Sequence, residues 1–204
     1  MKKLQWDKVR VLVANYCNYK CPFCHNEGQD KTTTKERMSL QSFRRLVDIL
    51  SNQPISEFNI SGGEPFLNED IVDMILYIND NLDCDISCAT NLSLIKPEHI
   101  SVLSGTRIKF NIQFPFATAE AFKRSTVTGN LDRILTNIDL LCAENIQVGL
   151  NTVVQSDDFS SISTLIDFAL ERGLPLKLLP QIGLSGSNQF LNHLSLIHIS
   201  EPTR

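Results

Sequence analysis

Residues 9–25 read VRVLVANYCNYKCPFCH. The first six, Val9 to Ala14, are short, β-branched and almost continuously apolar, as expected of a strand buried on both faces. Directly behind them come Cys17, Cys21 and Cys24, three of the six cysteines in the chain, followed by His25. The chain then stays polar as far as Arg37. A buried strand running into a polar, thiol-rich loop is the opening of an α/β unit with its chemistry at the strand's C-terminal end.

The same pattern recurs along the chain. Ser39 can cap a helix whose apolar residues Phe43, Leu46, Val47 and Leu50 follow helical spacing. FNIS (Phe58 to Ser61) reads as a second strand and ends in GGEP. Ile71, Met74, Ile75 and Ile78 mark a second helix, Asp85 to Ala89 a third strand and Pro97 to Leu103 a weaker helix. Further strands are expected at Ile108 to Phe114, Val148 to Val154 and Leu176 to Ile182. Between them fall a helix carrying Leu131, Ile134, Leu135, Ile138 and Leu141, and one from Ser160 to Arg172 stopped by Gly173. Strand and helix alternating about six times mean parallel strands with right-handed crossovers. An open doubly wound sheet and a full or partial β/α barrel both fit. In either, function collects at the strand C-termini. The cysteine loop, GGE and Thr90–Asn91 follow the first three strands, and Gln113, Asn151 and Gln181 lie within or toward the ends of the last three, which points to one site.

Bulk composition narrows the classes. The chain has 204 residues, is 42% hydrophobic and carries a net charge of −4, enough for one domain with a substantial core. It has no basic block, so no nucleic-acid partner is expected. MKKLQWDKVR has no apolar segment behind its lysines, so it is not a signal peptide, and no run spans a bilayer. A cytoplasmic protein with reduced thiols is expected.

Three close thiols can serve a zinc site, a covalent haem, a redox pair or an iron–sulfur cluster. CPFCH matches the haem attachment pattern, but that chemistry belongs to exported proteins and leaves Cys17 idle. A redox pair needs a helix start behind it, and NEGQDKTTTKE is not one. Zinc needs four ligands, and the adjacent Cys24 and His25 are ill placed to reach one tetrahedral ion together. Cys84 and Cys88 stand roughly 13 Å apart along a strand. Both are expected in the core, as is Cys142 in its helix. An iron–sulfur cluster with three protein ligands remains, one iron being left open for a small molecule.

C-x3-C-x-aromatic-C after strand one, with Phe23 as the aromatic, and SGGEP after strand two resemble the two signatures of the radical S-adenosylmethionine (SAM) enzymes. The resemblance covers residues 8 to about 185. It implies an α/β partial (β/α)6 TIM-like barrel, truncated here after strand six. It also implies a [4Fe-4S] cluster on Cys17, Cys21 and Cys24 that cleaves SAM reductively, so that hydrogen is abstracted from a substrate. Phe23, Gly62, Gly63, Glu64, Thr90, Asn91, Gln113, Asn151 and Ile182 are the implied SAM contacts, and Arg10 an implied substrate contact. The expected partners are a small-molecule or peptide substrate and a flavodoxin- or ferredoxin-type reductant.

Within that superfamily, VRVLVANYCN, CHNEG, ATN, LDRILTNIDLL and GLNTVV are similar to the GTP 3′,8-cyclase (MoaA) family of molybdenum-cofactor synthesis. Asn59 and Gly149 stand where that family has basic residues, and Gln113 where it has a serine. Peptide-modifying radical SAM maturases share this front half. A non-catalytic iron–sulfur or zinc-binding regulator is the reading from another class. Finally, Leu194 to Arg204 (LSLIHISEPTR) can be back-translated into a transposase sequencing adapter. The expected organisation is therefore a radical SAM core over residues 1–193, the N-terminal part of a longer protein, with a non-native tail over 194–204.

Overall fold

The computed structural model describes residues 7–24, 34–154, 159–180 and 198–199. Its parallel strands are β1 (Lys8–Leu12), β2 (Glu57–Ser61), β3 (Asp85–Thr90), β4 (Ile108–Gln113), β5 (Gln147–Val154) and β6 (Leu176–Pro180). The helices between them are α1 (Leu40–Leu50), α2 (Ile71–Asn81), α3 (Pro97–Leu103), α4 (Ala119–Thr126), α5 (Leu131–Ala143) and α6 (Phe159–Glu171). Strand order in the sheet follows chain order from β1 to β6, every pair parallel. A doubly wound sheet reverses its order at a switch point. Here each strand adds on the same side, so the sheet winds as a barrel. Among the described residues β1 and β6 do not pair with each other, and the barrel is partial.

Alternation along the strands sorts the two faces. Phe58, Ile60, Ile86, Cys88, Phe110, Ile112 and Leu150 are essentially fully buried. They share one strand face, against which Phe43 and Val47 of α1, Met74, Ile75 and Ile78 of α2, and Ile134, Ile138 and Leu141 of α5 complete the core. Each such large side chain contributes about 1.5–3 kcal/mol by leaving water, so this layer dominates stability. The opposite, concave face is polar. Local signals shape the ends as expected: Ser39 caps α1 by accepting from the Ser42 N–H, and Gly173, at φ 62°, ends α6.

Four features depart from expectation. Strand one is not buried on both faces: β1 lies at the sheet edge, and Leu12 is 50% exposed. An edge strand has one neighbour, so a β-branched run there reflects strand propensity rather than two-sided burial. Cys142 is exposed, because α5 turns Leu141 into the core and its neighbour away from it. Helix α4 was not foreseen. It is short, and among its apolar residues Phe122 is the buried aromatic that anchors it. The expected ends of strands one and four, at Ala14 and Phe114, run past the observed ones; the expected end of strand six, Ile182, lies outside the described residues. Within the tail, His198–Ile199 form a two-residue strand, β7, antiparallel to Leu176–Lys177 of β6.

Candidate functional site

The cysteine loop is clamped from two sides. On one side, Val13 N–H donates to Ser61 O at 2.9 Å, Gly63 N–H to Ala14 O at 2.8 Å and Glu64 N–H to Tyr16 O at 3.0 Å. The GGE turn is thus laced to the start of the loop. A Cβ on Gly62 (φ 152°) would run into the Ala14 carbonyl, and one on Gly63 into the Tyr16 carbonyl. The close backbone approach that these glycines permit is therefore to the cysteine loop itself. On the other side, the end of α4 holds the loop. Lys20 N–H donates to Thr126 O at 3.3 Å, and Thr128 Oγ1 to Asn18 O at 3.0 Å.

Glu64 ties this turn to the end of β3. Its side chain has no exposed surface. Oε1 accepts from the Thr90 hydroxyl at 2.7 Å and from Phe66 N–H at 3.0 Å; Oε2 accepts from Asn91 N–H at 2.8 Å. Burial pushes its carboxyl above the ordinary range, and the three donors act against that shift. Asn91 continues the network, its Nδ2 donating to Asn18 Oδ1 at 2.8 Å and standing 3.7 Å from Cys17 Sγ. Tyr19 N–H also points to Cys17 Sγ, at 3.4 Å.

These elements enclose a cavity of about 340 Å³ at the C-terminal ends of the strands. Cys17, Cys21 and Cys24 all line it, together with Phe23, Gly62, Gly63, Thr90 and Asn91. So do Gln113 of β4, Asn151 of β5 and Arg10 of β1. Glu64 is not among the lining residues; it sits behind them and braces Thr90 and Asn91. Ile182, Gln181 and His25 lie outside the described residues. Tyr19, Ser61, Ala89, Asn111, Val153 and Leu179 also line the cavity and were not singled out from sequence. Two of them were within reach: Asn111 lies two residues before Gln113 and Val153 two after Asn151, on the same strand face.

The donor set suits a cluster. Burial, with neighbouring thiols adding to it, pushes the Cys17 thiol up to about 11 and the Cys21 thiol up to about 12. Such thiols stay protonated at neutral pH unless a cationic centre claims them. Among the described residues, no three His, Cys, Asp or Glu side chains converge as on one metal ion. Three thiols lining one cavity are the protein ligands that a cubane with one open iron requires. Gln113 lines the cavity, and its Nε2 amide is buried and without a hydrogen-bond partner among the described residues. Cys84 and Cys88 are buried in the core, away from this site.

Comparison with known proteins agrees with this geometry. Residues 11–169 match the model of the radical SAM superfamily. A GTP 3′,8-cyclase of Clostridium perfringens (strain 13 / Type A) is 27% identical over 187 residues, covering 90% of this chain and 58% of that protein. A probable GTP 3′,8-cyclase of Thermococcus kodakarensis is 30% identical over 172 residues, covering 84% of this chain and 55% of that protein. The chain thus spans a little over half the length of these curated relatives. Among solved structures, Streptococcus suis SuiB bound to S-adenosylmethionine superposes with a TM-score of 0.79 at 17% identity, over 91% of this chain and 43% of that one. Native anSMEcpe with bound AdoMet gives a TM-score of 0.75 at 15% identity, over 91% of this chain and 55% of that one. The match over residues 11–169, on a partial barrel whose first two strand ends bring together three cysteines and a GGE turn, places this chain in the radical SAM superfamily, the enzymes that use a [4Fe-4S] cluster and S-adenosylmethionine.

Proposed function

We propose that this chain is the cofactor-binding core of a radical SAM enzyme, with Cys17, Cys21 and Cys24 holding the [4Fe-4S] cluster and the adjoining cavity holding SAM. The observation behind this reading is three thiols, Cys21 buried and Cys17 and Cys24 half-buried, opening into one cavity with Gly62, Gly63, Thr90, Asn91, Gln113 and Asn151. When bound, the cluster and SAM supply one-electron reductive cleavage of a sulfonium and, from it, hydrogen abstraction from a substrate. The protein's own residues do the positioning. Gly62 and Gly63 press the GGE turn onto the loop. Glu64 fixes Thr90 and Asn91, and Gln113 and Asn151 present amides from neighbouring strands in register. Phe23, Val153 and Leu179 give the cavity apolar wall, which keeps water away from reactive species.

The substrate is a small molecule or a peptide. Support for the first comes from the GTP 3′,8-cyclase relatives, and for the second from the likeness to SuiB, solved with its precursor peptide SuiA. A flavodoxin- or ferredoxin-type protein supplies the electron. The protein works in the cytoplasm; among the described residues, no helix is long and apolar enough to cross a membrane. The complete protein turns over GTP poorly, because Asn59 and Gly149 give the triphosphate no cation.

The test is anaerobic reconstitution followed by addition of SAM and dithionite. Methionine and 5′-deoxyadenosine should appear in equal amounts. An intact cluster that leaves SAM unconsumed would instead indicate a non-catalytic iron–sulfur protein. GTP is then added to the complete enzyme; cyclic product formed at micromolar GTP contradicts the substrate reading alone.

A further inference from the structure

At the end of α4 one residue stands in a conformation that its side chain resists. Val127 has φ 67° and ψ −44°, close to the strained form of the γ-turn. A β-branched side chain at positive φ is a steric outlier, whereas glycine takes that backbone freely. The turn does not need the side chain. Val127 N–H donates to Lys123 O, and the residues on either side hold the cysteine loop, Thr126 O accepting from Lys20 N–H and Thr128 Oγ1 donating to Asn18 O. Nor does the core use it, because Val127 is 50% exposed. A side chain that is apolar, strained and exposed points to a contact outside this chain.

The surroundings say what kind of contact. Lys20 and Pro22, on either side of the buried Cys21, are both exposed, so the loop reaches solvent next to this thiol. On the loop, on α4 and on the first turn of α5, the exposed charges are Lys20, Lys123, Arg124 and Arg133 against Glu120 and Asp132. Glu120 already engages Arg124 at 3.6 Å. Lys20, Lys123 and Arg133 form no salt bridge among the described residues. This face is therefore basic in a chain whose net charge is −4.

We propose that Val127, with Lys20 and Lys123 at its rim, is the docking face for the electron donor, and that this donor is an acidic flavodoxin-type protein. The proposal rests on the cofactor reading above, which puts the cluster on Cys21 behind Lys20. A flavodoxin offers the matching face, the apolar edge of its flavin ringed by carboxylates. Opposite charges steer the encounter and fix its register, and the valine meets the flavin edge. In the transfer the reduced flavin is oxidised by one electron and the cluster gains that electron. No bond in this chain is made or broken.

The reconstituted protein is mixed without air with reduced flavodoxin, and bleaching of the cluster's visible absorption is timed. Photoreduced deazariboflavin, a small reductant that needs no docking face, is the control. With flavodoxin the rate should fall about tenfold or more from low to high ionic strength. Lys20→Glu/Lys123→Glu should slow it about tenfold or more. Glutamate at position 20 keeps the N–H that Thr126 holds. Val127→Gly should slow it about threefold or more. The same variant should melt no lower than wild type, since it relieves the positive φ. Lys177→Glu, exposed on β6, should change the rate by less than about twofold. With deazariboflavin every variant should stay within about twofold of wild type. An unchanged flavodoxin rate in the double charge variant, or equal slowing with both reductants, overturns the proposal. So does a Val127→Gly protein that melts lower, because the side chain then serves the fold. A ferredoxin that reduces the cluster where flavodoxin does not overturns the choice of partner. If no cluster forms, the cofactor reading fails, and calorimetry with oxidised flavodoxin judges the face by itself. Binding lost in the double charge variant then upholds it, and no binding to folded wild type overturns it.

Discussion

Glu64 shows how one buried side chain organises the site without entering it. Its folded-state carboxyl sits above the ordinary value of 4.5 because of burial. The folded protein therefore keeps that proton to higher pH than the unfolded chain does, and stability falls as pH rises from about 4.5 through the folded value. Glu64→Gln should abolish this component of the pH slope. It should also cost about 1–3 kcal/mol, since its amide must turn a donor toward Thr90, Phe66 or Asn91. Urea unfolding of both proteins across that range measures both effects; an unchanged slope in the variant contradicts the assignment. Asn91 acts on the thiols instead. Hydrogen bonds to ligand sulfur favour the reduced cluster. Asn91→Ala, losing the amide 3.7 Å from Cys17 Sγ, should lower the cluster's reduction potential in a spectroelectrochemical titration. A potential equal to or above that of the wild type would count against it. Neither role could be read from the sequence, where Glu64, Thr90 and Asn91 stand at strand ends as implied SAM contacts. Which side chain reaches which partner depends on how β2 and β3 lie beside each other.

At the scale of the element, glycines separate by what surrounds them. Gly62 and Gly63 have no room for a Cβ, since the Ala14 and Tyr16 backbones occupy it. Either alanine substitution should destabilise by about 2 kcal/mol or more and lower cluster loading. Gly149 meets no atom closer than 3.5 Å. Alanine there should stabilise by about 0.4–1 kcal/mol through the unfolded chain. Thermal unfolding of the three variants should show opposite signs, and a stable Gly63→Ala would dissolve the explanation of the GGE turn. Local patterns made most elements legible. The i, i+3, i+4 spacing located α1, α2 and α5, and short apolar runs located the six parallel strands. Helix α4 escaped because its stability comes from Phe122 packing and from holding the cysteine loop, not from a long apolar stripe. Cys142 was misplaced by one position around α5, a difference of about 100° that helical spacing alone resolves poorly when neighbours on both sides are apolar.

For the whole molecule, alternation of strand and helix was enough to imply a parallel sheet but not to choose between open sheet and barrel. That choice lies in strand order, which is set by contacts between residues far apart in the chain. The polar concave face was hidden for the same reason: Asn59, Lys109 and Asn111 look like ordinary strand alternates until register brings them into rows. The tail makes a separate prediction. Leu194 to Arg204 resembles adapter sequence, and among its described residues His198 and Ile199 pair with β6. A chain ending at His193 should melt within about 2 °C of the longer one, less than a 1 kcal/mol change would produce; a drop of several degrees would mean that the tail belongs to the fold. The central claim is that Cys17, Cys21 and Cys24 hold one cluster at the strand ends. It is tested most directly by iron content and visible absorption after anaerobic reconstitution of six single cysteine-to-alanine variants and the triple variant. The account predicts about four irons per chain in wild type and in the Cys84, Cys88 and Cys142 variants that fold. It predicts a marked loss for each of Cys17, Cys21 and Cys24, with no cluster absorption when all three are replaced. Equal loss from a folded Cys84, Cys88 or Cys142 variant would contradict it.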